Sequence, residues 1–188
     1  MQRPASQTTL QLRAQLRRVD PVVWRRLLVP GAVNLGKLDL MLQAAMGWTN
    51  SHLHCFRIGK LSYGPKYVDD FDDDIIDRDE KTLTVSEAFE GERRLVYEYD
   101  FGDSWEHDVV VEDRLTSALA LKFAVCLDGQ NACPPEDCGG ARGYQAMLES
   151  LADPSDEEHE SYLTWLGGPF DASAFSPAEA NAALQRVR

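Results

Sequence analysis

The segment Leu10-Gln11-Leu12-Arg13-Ala14-Gln15-Leu16-Arg17 alternates apolar and polar side chains without a break. Successive side chains of a strand point to opposite faces, so period two with one apolar face reads as a half-buried β-strand. Asp20-Pro21 marks a turn, and Val22 to Val29, rich in β-branched and aromatic residues, reads as a second strand. The short connection predicts an antiparallel hairpin.

Beyond this hairpin the period changes. Leu35, Leu38, Met41, Leu42 and Ala45 recur at helical spacing, with Asn34 placed to cap the helix and Gly47 to stop it. His54 to Ile58 reads as a third strand, followed by a loop at Ser62-Tyr63-Gly64-Pro65. Val85 to Phe89 reads as one helical turn capped by Thr84. Leu95 to Asp100 and Glu106 to Val111 read as a second hairpin, joined by Phe101-Gly102-Asp103-Ser104-Trp105. Leu95, Tyr97 and Tyr99 share one face of it, as do His107, Val109 and Val111.

After residue 112 the chain is irregular and rich in Cys, Pro and Gly as far as Gly143. Three helical stretches follow, around Tyr144 to Leu151, Asp156 to Leu166, and a last one opened by Ser176-Pro177 with Ser as cap and Pro in the first turn. Strands grouped first and helices last predict an α+β fold. The expected sheet is antiparallel or mixed, of about five strands over one helix in a β-grasp-like arrangement, followed by a C-terminal helical part. The chain of 188 residues suits a single domain, 1–188, with a flexible tail at 1–8, a sheet-rich half at 9–113, and a Cys-containing turn plus helices at 114–188.

Hydrophobic residues make up 44% and charged residues 27%, a globular composition. The net charge of −12 repels phosphate backbones, so a nucleic-acid partner is not expected. The clearest basic cluster is Arg13, Arg17, Arg18, Arg25 and Arg26. No apolar run approaches the roughly 20 residues of a membrane span, and Met1 to Thr9 lacks an apolar signal core, so a cytoplasmic setting is expected. There a reducing environment disfavours structural disulfides, and the four cysteines need another account.

Three of them, Cys126, Cys133 and Cys138, fall in the turn-prone stretch that ends in Cys133-Pro-Pro-Glu-Asp-Cys138-Gly-Gly. Thiolates and imidazole suit tetrahedral zinc, and the prolines and glycines help a loop converge. The expected site is a structural zinc held by Cys126, Cys133, Cys138 and His107, with His54 and Cys55 as alternative fourth ligands. The competing readings are cysteines packed as small apolar side chains, and a Cys133–Cys138 disulfide or redox switch. Gly139 and Gly140 open a helix whose N–H groups could meet an anion, or form an ordinary glycine-rich helix start.

Asp100-Phe101-Gly102-Asp103-Ser104-Trp105-Glu106-His107 is a second constellation, readable as acid–base or cation-binding chemistry or as a hairpin turn anchored by Trp105. Its Asp-Phe-Gly is not a kinase signature, because neither a phosphate-covering glycine loop nor the strand Lys precedes it. Asp69 to Glu80 holds eight acids in twelve residues, reads as a solvated loop, and lacks the Gly and terminal Glu of a calcium-binding EF-hand loop. Ser51-His52-Leu53-His54 reads as a packed or surface histidine pair rather than a metal site. Ser-nucleophile elbow, Walker loop, Rossmann fingerprint and His-Glu-x-x-His are all missing from the sequence.

Several of these stretches together resemble the plasmid pRiA4b ORF-3-like family. They are Leu12 to Trp24 with Asp20-Pro21-Val22-Val23-Trp24, Leu38 to Phe56 with Gly47-Trp48 and His52-Leu53-His54, Tyr97 to Val110 with Tyr99-Asp100-Phe101-Gly102-Asp103, and Cys126 to Tyr144 with Cys133-Pro-Pro-Glu-Asp-Cys138. The tail Trp165-Leu166-Gly167-Gly168 with Phe170-Asp171 belongs to the same likeness. The resemblance implies an α+β fold and a bacterial or archaeal intracellular setting. Some members carry labels of transposable-element passenger or TnpR-type resolvase, but this chain shows neither a serine-recombinase region nor a basic reading helix. The expected function is a binding or accessory module with an unknown protein or small-molecule partner. The alternatives are a small enzyme acting between the Asp100–His107 and Cys133–Cys138 turns, and a mobile-element accessory protein.

Overall fold

The computed structural model describes residues 7–66, 76–117 and 121–187. The chain runs β1 (Gln7–Leu16), β2 (Trp24–Pro30), α1 (Leu35–Met46), β3 (His54–Ile58), β4 (Leu61–Gly64), β5 (Arg78–Asp79), a 3-10 turn (Glu80–Thr82), α2 (Val85–Ala88), β6 (Arg94–Tyr99), β7 (Trp105–Ser117), β8 (Val125–Gln130), α3 (Gly140–Ala152), α4 (His159–Leu166) and α5 (Pro177–Leu184). The strands form one sheet in the order β5-β4-β3-β6-β7-β1-β2-β8. Neighbours are antiparallel throughout except for the parallel pair β4 and β5.

Local chemistry set several of these elements as expected. Leu10, Leu12, Ala14 and Leu16 of β1 are all buried, and the strand pairs with β2 in the predicted hairpin. Asn34 accepts a hydrogen bond from Lys37 N–H at the start of α1, and Gly47, at φ +102°, closes the helix in the left-handed region. Thr84 and Glu87 form a reciprocal capping box on α2. Ser176 caps α5 ahead of Pro177.

The sheet nevertheless has eight strands where about five were expected, and a β-grasp with one covering helix does not describe it. Strand β4 is short and lies where a loop was expected, and β5 closes the far end of the acidic run. Strand β8 carries Asp128-Gly129, a turn-like pair, yet it adds to the edge of β2. In these strands pairing with a distant partner overrides weak local propensity. The buried face is covered by α1 and also by C-terminal elements. Tyr144 and Met147 of α3 join the same core, and α5 packs against α1 and β8. Of the expected tail, residues 1–6 lie outside the described residues and 7–8 belong to β1; residues 69–75 of the acidic run also lie outside them. No described helix is long and apolar enough to cross a membrane.

The opposite face of the sheet is a ladder of ion pairs. Arg17 meets Asp108 at 2.7 Å and Glu106 at 3.2 Å, Arg18 meets Glu106 at 2.8 Å, and Arg26 meets Glu112 at 2.6 Å. Arg57 pairs with Glu98 and Glu106. The arginine cluster seen in the sequence is therefore not a free basic strip. Arg25 is on the other face altogether, 3% exposed. It donates to the carbonyls of Ala45, Trp24 and Gln130 and stacks on Phe175, so it ties the end of α1 to β2 and β8 with no carboxylate partner among the described residues.

The two faces of β1 should respond differently to truncation. Leu12→Ala should cost about 2–5 kcal/mol in urea denaturation, through lost burial and a cavity. Gln15→Ala, three residues on and facing away from the core, should stay within about 0.5 kcal/mol.

Candidate functional site

On α1 the inward stripe is not wholly apolar. Asp39 and Gln43, one turn apart, are 1% and 2% exposed. A buried carboxylate must be paired or protonated, and Asp39 is surrounded by partners. Tyr97 donates its hydroxyl to Oδ1 at 2.6 Å, and Gln43 Nε2 donates to Oδ1 and Oδ2 at 2.9 and 3.0 Å. His54 Nδ1 stands 3.3 Å from Oδ1, and its other ring nitrogen is 2.6 Å from Glu80 Oε2. Burial raises the Asp39 pKa above the ordinary carboxylate value, opposed by the charge of His54 and the hydrogen bonds of Tyr97 and Gln43. The result is a buried carboxylate–imidazole–carboxylate relay linking α1, β3, β6 and the 3-10 turn. Glu80 fits against the first turn of α1 because residue 36 is glycine: a Cβ there would lie 2.5 Å from Glu80 Oε1.

The relay floors an open cleft of about 530 Å³ whose walls include Lys37, Asn50, His52, Pro65 and Lys81. Glu80 Oε1 takes no hydrogen bond from the described residues, whereas Oε2 is engaged by His54.

Beside the cleft three separate loops meet. Trp48 Nε1–H donates to Pro134 O at 3.0 Å, and Thr49 Oγ1–H donates to Glu136 Oε2 at 2.5 Å. The Tyr99 hydroxyl donates to Glu136 Oε1 and accepts from Ser51 N–H at 3.0 Å. Burial alone would raise the Glu136 pKa, but these hydrogen bonds outweigh it and hold the group below its ordinary value. Asp100, with φ +59°, turns its Oδ1 back to accept from the N–H groups of Gly102 and Asp103. Asp103 in turn accepts from Gly139 N–H at 3.1 Å. His52 stands between the loops, with Nδ1 3.5 Å from Asp100 Oδ2 and Nε2 3.3 Å from Asp137 Oδ1.

The expected zinc ligands are arranged otherwise. Cys126 is on β8 rather than in a turn, and its thiol donates to Asp128 O at 3.5 Å. Cys133 and Cys138 flank the Pro-Pro-Glu-Asp turn, half-buried, with burial pushing both thiols up, Cys138 to about 12. His107 is fully buried, and neither ring nitrogen has a hydrogen-bond partner among the described residues. Its ring stands edge-on to Trp48 at 5.3 Å and tilted against Tyr97, and burial pushes its pKa down to about 4. No three of these four residues gather as ligands. Among the described residues, the group whose ligand atoms lie within 4.8 Å of one another is His52, Asp100 and Asp137.

All four cysteines are free thiols. Of the alternative ligands, His54 serves the relay, and Cys55 is buried on β3 with its pKa raised to about 11, first by desolvation. The start of α3 meets a protein carboxylate, Asp103, in place of an external anion, and a Cβ on Gly140 would lie 2.5 Å from Asp103 O. Trp105 is 1% exposed and anchors its hairpin turn.

Sequence reasoning missed the relay. The signal was present in Asp39 and Gln43, two polar residues at i and i+4 on the inward face of an apolar helix. It also read His52 and His54 as one pair, whereas His52 precedes β3 and serves the loop junction, and His54 opens the strand and serves the relay.

The segments that meet here are those that carry the family likeness. A sequence model of the plasmid pRiA4b ORF-3-like protein matches residues 8–179. The chain belongs to the plasmid pRiA4b ORF-3-like family. Within this family's reach, the chain is 38% identical over 178 residues to a Sinorhizobium fredii (strain NBRC 101917 / NGR234) protein named "Uncharacterized protein y4hQ", covering 94% of this chain and 91% of that one. The crystal structure of a protein of unknown function, MM3350 from Methanosarcina mazei Go1, is similar with a TM-score of 0.82 and 32% identity, over 92% of this chain and 97% of that one. The pRiA4b ORF-3-like family is thus represented by relatives named uncharacterised, and neither name speaks of a transposon or of zinc.

His107 makes the fold sensitive to acid. Its folded pKa of about 4 lies below the 6.5 of an ordinary imidazole, so folding favours the neutral ring. That contribution is full above about pH 6.5 and is lost as pH falls toward 4, a change of roughly 3 kcal/mol. Urea titrations at pH 7 and pH 5 should show about 2 kcal/mol of this loss in the native protein, and His107→Leu should reduce it.

Proposed function

We propose that this pRiA4b ORF-3-like protein is a binding module for a small polar ligand bearing an ammonium or guanidinium group, held in the cleft above Glu80. The observation that carries the reading is the Asp39–His54–Glu80 relay, buried at the floor of an open cleft. Two carboxylates face one imidazole, so the floor keeps an excess of acceptors over donors. Two acceptors of this network are left over among the described residues, Gln43 Oε1, which is buried, and Glu80 Oε1, whose residue lines the cleft. In a partly desolvated site a cationic donor to Glu80 Oε1 forms a charge-assisted hydrogen bond, stronger than its neutral counterpart. Lys37 and Lys81 in the cleft walls supply positive charge for a carboxylate or phosphate at the other end of the ligand. The preferred ligand is therefore a small zwitterion, and about 530 Å³ suits a molecule of amino-acid size.

A second reading, a small enzyme, draws on the meeting of the Asp100–His107 and Cys133–Cys138 turns through Asp103 and Gly139. It also draws on a relay in which one carboxylate, Asp39, is raised and held next to an imidazole, as acid–base chemistry requires.

The binding reading is tested by calorimetric titration with arginine, with agmatine as the amine lacking the carboxylate, and with propionate as the anion alone. Arginine and agmatine should bind and propionate should not. Glu80→Gln should weaken both by about tenfold or more, and Lys37→Ala with Lys81→Ala should weaken arginine alone. Failure of both cations to bind below about 10 mM, or unchanged binding by Glu80→Gln, would sink the reading.

A further inference from the structure

The geometry points to a divalent transition-metal site formed by His52, Asp100 and Asp137, at the junction of the three loops. The site is distinct from the relay, although His52 also walls the cleft, and it does not rest on the ligand proposed there.

The three side chains come from three segments: the loop before β3, the start of the turn after β6 and the loop before α3. One ligand atom from each lies within 4.8 Å of the others. The distance from His52 Nε2 to Asp137 Oδ1 is 3.3 Å. Two ligands each about 2.0–2.1 Å from one ion, at a tetrahedral angle, are separated by about 3.3 Å.

Neither Asp100 Oδ2 nor His52 Nε2 takes part in a hydrogen bond with the described residues, and the His52 nitrogen is buried. The Asp100 side chain is 10% exposed, and its Oδ1 is satisfied by two backbone N–H groups. Its Oδ2 receives no hydrogen bond from the described residues and stands 3.5 Å from His52 Nδ1. His52 Nε2 is buried and likewise without a hydrogen bond. An imidazolium held directly by two carboxylates would draw them to about 2.7–2.9 Å. The observed 3.3 and 3.5 Å exceed that range and leave the ring unpaired. The two carboxylates approach opposite ring nitrogens, so a shared cation is bound by one of these nitrogens, with one ligand atom from each residue still within 4.8 Å of the others.

The surroundings hold the ligands in place. Asp100 is fixed by its bonds to the N–H groups of Gly102 and Asp103, and Asp103 clamps Gly139 on the far side of Asp137. Glu136, next to Asp137, is locked by Thr49 and Tyr99. Such supporting bonds orient metal ligands and set their affinity. Asp137 itself is 71% exposed, which gives the ion a route from solvent and leaves room for water in the remaining positions. One imidazole with two carboxylates suits Zn²⁺, Mn²⁺ or Fe²⁺, whereas Mg²⁺ and Ca²⁺ favour oxygen alone.

The test is titration of the full chain, purified without a metal-binding tag, with Mn²⁺ followed by the loss of the free-ion EPR signal, and with Zn²⁺ followed by calorimetry. One equivalent should bind. Asp137→Asn, at an exposed position that should not disturb folding, and His52→Gln should each weaken Mn²⁺ binding by about tenfold or more. Cys133→Ser with Cys138→Ser, and Glu80→Gln, should leave it unchanged. No saturable 1:1 binding of either ion below about 1 mM, native-like binding by both Asp137→Asn and His52→Gln, or loss of the ion in the cysteine variant would each overturn the assignment. Amine binding in the cleft that persists in Asp137→Asn separates failure of this site from failure of the cleft.

Discussion

Asp39 is a carboxylate in the middle of a helix, 1% exposed, and the arrangement of the rest of the cleft follows from the need to satisfy it. Removing such a group from water is costly, and removing one partner from a buried charged network typically costs about 3–5 kcal/mol. Its partners come from four elements: Gln43 from its own helix, Tyr97 from β6, His54 from β3 and, through His54, Glu80 from the 3-10 turn. Hydrophobic burial presses α1 onto the sheet without fixing its rotation or its height. The directional bonds to Asp39 do both. They also explain Gly36, since any side chain there would displace Glu80.

The same logic recurs at the loop junction. The Trp48–His52, Tyr99–Asp103 and Cys133–Gly140 segments are individually irregular. Each supplies groups that complete another's hydrogen bonds: Glu136 serves Thr49 and Tyr99, Pro134 O serves Trp48, and Asp103 serves Gly139. A joint of this kind is cross-braced although it is built mostly from loops, and loops held by a rigid scaffold can fix side chains in a geometry for binding. The cysteines of the third segment contribute to this joint by packing. Cys133 and Cys138 belong with the hydrophobic core, and burial keeps their thiols protonated.

The outer face of the sheet shows a different use of charge. Arg17 and Arg18 are answered by acids on β7 and Arg57 by acids on β6 and β7, while Arg26 of β2 reaches across β1 to Glu112, which lies at an irregularity in the β1–β7 register. Exposed pairs of this kind contribute modestly to stability, on the order of 0–1 kcal/mol each. They keep the face polar and specify strand register, since a slip by one residue would oppose the wrong partners.

Much of the fold was legible in the sequence because its causes are local. The alternation of Leu10 to Leu16, the Asn34 and Gly47 ends of α1, the Thr84 box and the Ser176-Pro177 start each depend on residues within a turn or two of one another. Strands β4, β5 and β8 were not legible, because pairing with a distant strand, and not their own side chains, makes them strands. The site divides in the same way. The sequence by itself determined which chemical groups the chain carries and that the Tyr99–Asp103 and Cys133–Gly140 segments are turns. Only the tertiary structure decided that His52 joins Asp100 and Asp137 while His107 is sealed among aromatic rings, because which imidazole meets which carboxylate depends on sheet order and helix placement, both set by burial over the whole chain.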